Sequence, residues 1–212
     1  MKYLLLIFAF YINNLKAQKV YSIEFSQFVQ SNITINGQHY QIEMKSRLVY
    51  NDTMSFYYLI PQGKKDKLKK EKNLGDKLIH HGMIYNRNTD ELLLEVAWPK
   101  DKYFIIVDSS KPFNWSFKKD SKRVLGYNCS LAFTVNEKND STLVWYASAL
   151  GSLYGPSAFC GLPGIVLEVY EQQFGRHFLA TKIETSTVTL MLPVNVKKIL
   201  IEIYRKEKSS NK

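Results

Sequence analysis

The sequence predicts a mainly β protein: one large curved antiparallel sheet or half-barrel with a C-terminal helix, an α+β arrangement. A closed barrel or a sandwich is the alternative. Three observations carry this. Short runs of alternating apolar and polar residues recur along the chain, as half-buried strands require. Turn-forming residues separate them every ~8–12 residues, giving roughly ten to twelve strands. Helical spacing occurs in one late stretch only. No linker or repeat divides the chain, so residues 18–212 are expected to form a single domain.

The elements follow in order. Val20 to Val29 alternates, with Tyr21, Ile23 and Phe25 on one side and Ser22, Glu24 and Ser26 on the other. Asn36-Gly37 is a hairpin turn, because both residues accept the positive φ that two-residue turns need. Tyr40 to Tyr50 is the clearest strand, and Asn51-Asp52 turns it into Ser55 to Ile60. Lys77 to Asn86 and Glu91 to Trp98 pair around Arg87 to Asp90, and Tyr103 to Val107 is a short apolar strand. Trp115 to Lys118 is followed by a strand from Arg123 to Val135, alternating through Tyr127, Cys129, Leu131 and Phe133. Asn136 to Asp140 loops into Leu143 to Tyr146. Ile165 to Tyr170 reads as a buried strand with Glu168 as its only charge before the chain turns at Phe174 to Arg176 into His177 to Ile183. Val188 to Leu192 is a last strand stopped by Pro193. Val194 to Glu207 has Val196, Ile199, Leu200 and Ile203 at helical spacing.

Residues 1–17 read as a secretory signal peptide. Lys2 opens it, Tyr3 to Ile12 is its apolar core, and Leu15-Lys16-Ala17 precedes Gln18. No second apolar run approaches the ~20 residues of a membrane helix, so the chain is not expected to span a membrane. Export to the periplasm, the outer membrane surface or the medium follows. Losing the two leader lysines takes the net charge from +10 to +8. Such charge most simply solubilises the surface; as a signal of partners it favours anionic lipid headgroups, polyanionic glycans or acidic proteins over nucleic acid. The densest charge lies in Lys64 to Lys77: the insertion from Pro61 to Lys77 carries seven lysines against three acids. It reads as a solvated loop, with contact to an anionic surface as its functional alternative.

Each enzyme template fails. The chain has no Gly-x-Ser-x-Gly, no His-Glu-x-x-His, no Gly-x-Gly-x-x-Gly after a strand and no phosphate loop. No catalytic residue, metal site or cofactor is assigned. His80 and His81 are adjacent, so on a strand they point to opposite faces and share a metal poorly. Two cysteines in an exported chain favour a Cys129–Cys160 disulfide. Closing that ~30-residue loop contributes about 3–4 kcal/mol in the chain-entropy model. Two buried thiols or a soft metal pair are the alternatives. Fourteen tyrosines, twelve phenylalanines and three tryptophans suit the core of a β protein. Part of this aromatic surface, with Trp115, Tyr127, Trp145 and Tyr146 as candidates, is available to face a ligand.

Trp145 to Tyr170 organises the rest of the chain. Gly155-Pro156 and Gly161-Leu162-Pro163-Gly164 mark turns: glycine supplies positive φ, proline fixes φ, and Gly164 can sit where a Cβ would clash. GPSAFCGLPGIVLEVY resembles the signature of the GLPGLI family, secreted proteins of the Bacteroidetes, with Ile165-Val166 where the family name has Leu-Ile. Trp115, Gly126-Tyr127-x-Cys129 and Trp145-Tyr146 extend the resemblance over residues 111 to 172. The family brings no established molecular function and no catalytic residues to transfer. The expected function is therefore that of an exported, non-enzymatic binder of an apolar ligand, an envelope component or a protein partner on its curved sheet. The alternative is a hydrolase or a thiol- or metal-handling protein using Cys160 and His177.

Overall fold

The computed structural model describes residues 19–35, 38–60, 82–88, 91–97, 102–107, 113–186, 188–192, 197–203 and 206. The expected leader, residues 1–17, the Lys64 to Lys77 stretch, His80 and His81 lie outside them. Twelve strands form one sheet: β1 Val20–Ile35, β2 Gln38–Tyr50, β3 Met54–Ile60, β4 Met83–Asn86, β5 Glu91–Ala97, β6 Lys102–Val107, β7 Ser116–Val124, β8 Tyr127–Val135, β9 Ser141–Ala147, β10 Ile165–Glu171, β11 Arg176–Ser186 and β12 Lys197–Leu200. The order is β12-β6-β5-β4-β3-β2-β1-β11-β10-β9-β8-β7. Two consecutive meanders, β1–β6 and β7–β11, are thus joined by antiparallel pairing of β1 with β11. The edge strands β12 and β7 do not pair with each other among the described residues. The sheet is open, neither a closed barrel nor a sandwich.

Asparagines make several turns by the local side-chain bonding that favours them there. Asn51 Oδ1 accepts from the backbone N–H of Thr53 and of Met54, each at 2.9 Å, closing β2 onto β3. Asn136 Oδ1 accepts from the N–H of Lys138 and of Asp140, each at 2.9 Å, between β8 and β9. The expected continuous strand from Arg123 to Val135 is instead a hairpin. Leu125 and Gly126 have φ of 50° and 83°, so a two-residue turn ends β7 and starts β8.

The C-terminal helix is much shorter than its spacing suggests. Lys197 to Leu200 pairs in parallel with Tyr103 to Ile106 of β6, and among the described residues of this segment helical backbone is found at 201–203 and 206. The open edge of β6 offers backbone bonds to the arriving chain, and that outweighs a weak helical preference. Val188 to Leu192 is not a ladder strand. It is a strap whose Val188 and Leu190 pack with Val20, Val49, Phe56, Tyr58, Ile84 and Leu93 on one face of the first meander. The larger cluster lies on the other face and runs through both meanders, from Tyr85 on β4 to Val144 on β9.

Candidate functional site

The chain from Ser148 to Gly164, between β9 and β10, folds onto the large cluster. Tyr154, Phe159 and Leu162 are almost wholly buried there. The Tyr154 ring meets Tyr50 of β2 at 5.9 Å and Tyr85 of β4 at 5.7 Å. Phe159 meets Phe178 of β11 at 5.7 Å and Phe113 at 5.3 Å. One loop therefore ties the two meanders together, each large apolar side chain contributing about 1.5–3 kcal/mol on burial. Its backbone is fixed by Gly161 N–H to Leu153 O at 2.9 Å and Val166 N–H to Tyr154 O at 3.0 Å. The Trp115 indole N–H donates to Cys160 O at 2.9 Å.

The signature residues serve this packing. Gly155 and Gly164 are needed for close approach rather than for positive φ. A Cβ on Gly155 would lie 2.2 Å from Phe159 O, and one on Gly164 would lie 2.6 Å from the Ala147 backbone. Gly161, at φ 87°, is the one that needs the left-handed region. Pro156 and Leu162 are buried and Pro163 is exposed. On this face the chain's own loop takes the place of a ligand. All four candidate aromatics belong to the same packing: Trp115 holds Cys160, Tyr127 and Trp145 pack on the cluster, and Tyr146 is buried edge-on to Phe117 at 6.2 Å.

The expected disulfide is absent: Cys129 and Cys160 are both buried and not bonded to each other. The Cys129 thiol lies 3.6 Å from the Tyr127 carbonyl, as an S–H donor. Burial pushes that thiol's pKa up, against a backbone hydrogen bond and Lys122. Apolar burial and the Trp115 bond hold the loop without a staple. The Cys160–His177 pair is not assembled either. His177 neighbours Phe178, which packs under Phe159 of the loop. Alternate residues of a strand face opposite ways, so His177 lies on the far side of the sheet from the loop that carries Cys160.

That far side holds a site the sequence did not single out. It is centred on Glu168 of β10, whose side chain is only 5% exposed. Lys122 Nζ forms an ion pair with Glu168 Oε2, and His177 Nε2 lies 3.0 Å from Oε1. The nearby Tyr170 hydroxyl favours the ionised form of the same carboxylate. Burial alone would raise the Glu168 pKa, but the interactions with Lys122, Tyr170 and His177 outweigh it and hold the carboxyl below its ordinary value. Tyr170 is pushed up to about 12 by burial and by Glu168.

Aromatic rings wall the site. His177 stacks on Tyr170 at 4.0 Å and on Phe28 at 5.8 Å. The Lys122 ammonium lies 4.6 Å from the Trp145 ring centre and 5.8 Å from that of Tyr170. Lys122 comes from β7 and Glu168 from β10, with β8 and β9 between them. Strands ~4.8 Å apart would separate them by about 14 Å in a flat sheet, beyond the reach of the two side chains. The sheet therefore curls toward this face. Trp145 is the one candidate aromatic that lines the site. A lone charge in an otherwise apolar strand was the available signal, because a buried carboxylate needs partners. Its partner on β7 could not be read from the chain. Among the described residues, no group of three or more His, Cys, Asp or Glu side chains is arranged to hold a metal ion.

No protein-family profile matches the chain, and no curated protein matches it. Solved structures do. PNGF-II in its P21 crystal form is 18% identical with a TM-score of 0.62, over 89% of this chain and 32% of that one. Its C2 form is 16% identical with a TM-score of 0.59, over the same shares. An uncharacterized conserved protein from Thermus thermophilus is 6% identical with a TM-score of 0.42, over 87% of this chain and 91% of that one. The chain spans about a third of the PNGF-II chain, and at 18% identity the likeness is one of fold alone.

Proposed function

We propose that this chain is an exported, non-enzymatic binding protein of the GLPGLI family, acting in the periplasm, at the outer membrane surface or in the medium. Its ligand, an apolar or flat molecule or an envelope component, contacts the inside of the curl formed by β7–β11. One observation carries the reading. The buried carboxylate of Glu168 is already engaged on both oxygens, by Lys122 and His177, while aromatic surface beside it stays open, with Tyr170 42% exposed. A carboxyl held below its usual range and a tyrosine held near 12 neither give nor take protons at neutral pH. The thiol and imidazole of the enzyme alternative lie on opposite sides of the sheet. The leader supports export, and the match of GPSAFCGLPGIVLEVY to the family signature supports membership.

Native mass spectrometry of protein purified from its envelope, as wild type and as Tyr170→Ala, tests this. A non-covalent mass on the wild type that is lost from Tyr170→Ala supports it. A ligand retained equally by both, or released chemically altered, overturns it.

A further inference from the structure

The walls around Glu168 have the make-up of a receptor for an organic cation. A buried carboxylate forms the floor, and the faces of Trp145 and Tyr170 form the sides. Aromatic faces attract cations within about 6 Å of the ring centre, most strongly where water is excluded. A cation already sits there: the ammonium of Lys122, which pairs with Glu168 and lies within 6 Å of both ring centres. It arrives from the edge strand of the sheet, where Ser116 to Ser121 are all exposed, and its own side chain is 33% exposed. Lys122 is thus tethered at a solvent-accessible rim, while the cage that holds it is built into the covered strands β9 and β10.

We infer that the Glu168–Trp145–Tyr170 cage is a binding site for a primary ammonium group, and that Lys122 is its built-in occupant, displaced when ligand arrives. This rests on the proposed use of the β7–β11 curl for binding, and it names the chemistry of the ligand. Three features select the class. Glu168 Oε2 accepts an N–H bond, which a primary ammonium offers and a quaternary one lacks. The rings demand a cation rather than a neutral hydroxyl. The lysine itself shows that a primary ammonium fits there, its nitrogen lying 4.6 Å from the Trp145 ring centre. The ammonium can belong to a free small amine or to an ethanolamine lipid headgroup.

Lys122 acts as a competitor. Removing it raises the apparent affinity for an added amine by the reciprocal of the fraction of time the cage stands empty, roughly tenfold or more. The test titrates methylammonium, ethanolamine and tetramethylammonium into wild type, Lys122→Ala and Lys122→Ala/Glu168→Gln. The readout is the indole N–H signal of Trp145, assigned with Trp145→Phe. Expected are tighter methylammonium binding in Lys122→Ala than in wild type, weaker binding of tetramethylammonium, and loss of binding in the double variant. Vesicles of phosphatidylethanolamine and of phosphatidylglycerol then separate the sources. Selective binding to the former assigns a lipid headgroup, and binding of free ethanolamine alone assigns a small amine.

No saturable shift of Trp145 in a folded Lys122→Ala, or binding unchanged by Glu168→Gln, overturns the inference. Should Lys122→Ala not fold, the wild type decides: displacement requires the Trp145 signal to move at high methylammonium and the other indoles to stay. If these titrations fail while a Tyr170-dependent mass persists on the purified protein, only the ammonium class falls and the binding surface stands.

Discussion

Replacing Gly164 by alanine separates close packing from backbone conformation. Gly164 precedes β10, where the loop meets the end of β9. An added Cβ would lie 2.6 Å from both C and O of Ala147 and 2.7 Å from Ser148 N. Carbon contacts settle at about 3.5–4.0 Å, so three atoms would each be too close by roughly 0.8 Å or more. All three belong to the backbone and cannot rotate aside as a side chain does. Overpacking costs typically ~1–3 kcal/mol, and here the upper end or beyond is expected. For a domain of this size that is a fall in Tm of roughly 6–12 °C. Gly126 is the control. Its Cβ would meet nothing within 4 Å, but its φ is 83°. Alanine there carries only left-handed strain of about 1–2 kcal/mol. Urea unfolding followed by circular dichroism, with equal m-values, compares the two. Gly164→Ala as mild as Gly126→Ala would refute the argument that the signature glycine is kept for close approach.

Two further outcomes follow from the cysteines and from Glu168. Native protein near pH 8 should resist thiol alkylation, because both cysteines are buried and burial pushes the Cys129 thiol up. The same protein in urea without reductant should take up two alkyl groups by intact mass, whereas none would mean a disulfide. The Glu168 carboxyl is held below the ordinary glutamate value of 4.5, so its contribution to stability is complete above about that pH and is lost as pH falls through the folded value. Glu168→Gln should therefore be less stable than wild type at neutral pH, with the gap closing as acid is added. Parallel denaturation curves from about pH 7 down to about pH 3 with a constant gap would contradict this.

Strand periodicity, asparagine turns and the glycine-proline pattern all act within a few residues, and these features were legible in the chain. Alternation at Tyr40 to Tyr50 placed β2, and Asn51 placed its turn. Gly164 was readable as a position without room for a Cβ. Gly155 was readable as a special glycine for the wrong reason, since close approach rather than φ sets it. The turn at Leu125-Gly126 was hidden because leucine rarely takes positive φ, and the flanking alternation continued across it.

The sequence by itself determined a mainly β, antiparallel protein and the stretch that organises it. Local preference and hydrophobic period fix such things before any long-range contact forms. Only the tertiary structure decided the rest. The free edge of β6 turned the start of an expected helix into a strand. Pairing of β1 with β11 set two meanders side by side, so that the signature loop could fill the face between them. The curl of β7 over β10 brought Lys122 to Glu168 across two intervening strands. Each depends on which distant residues meet, and periodicity along a chain carries no information about that.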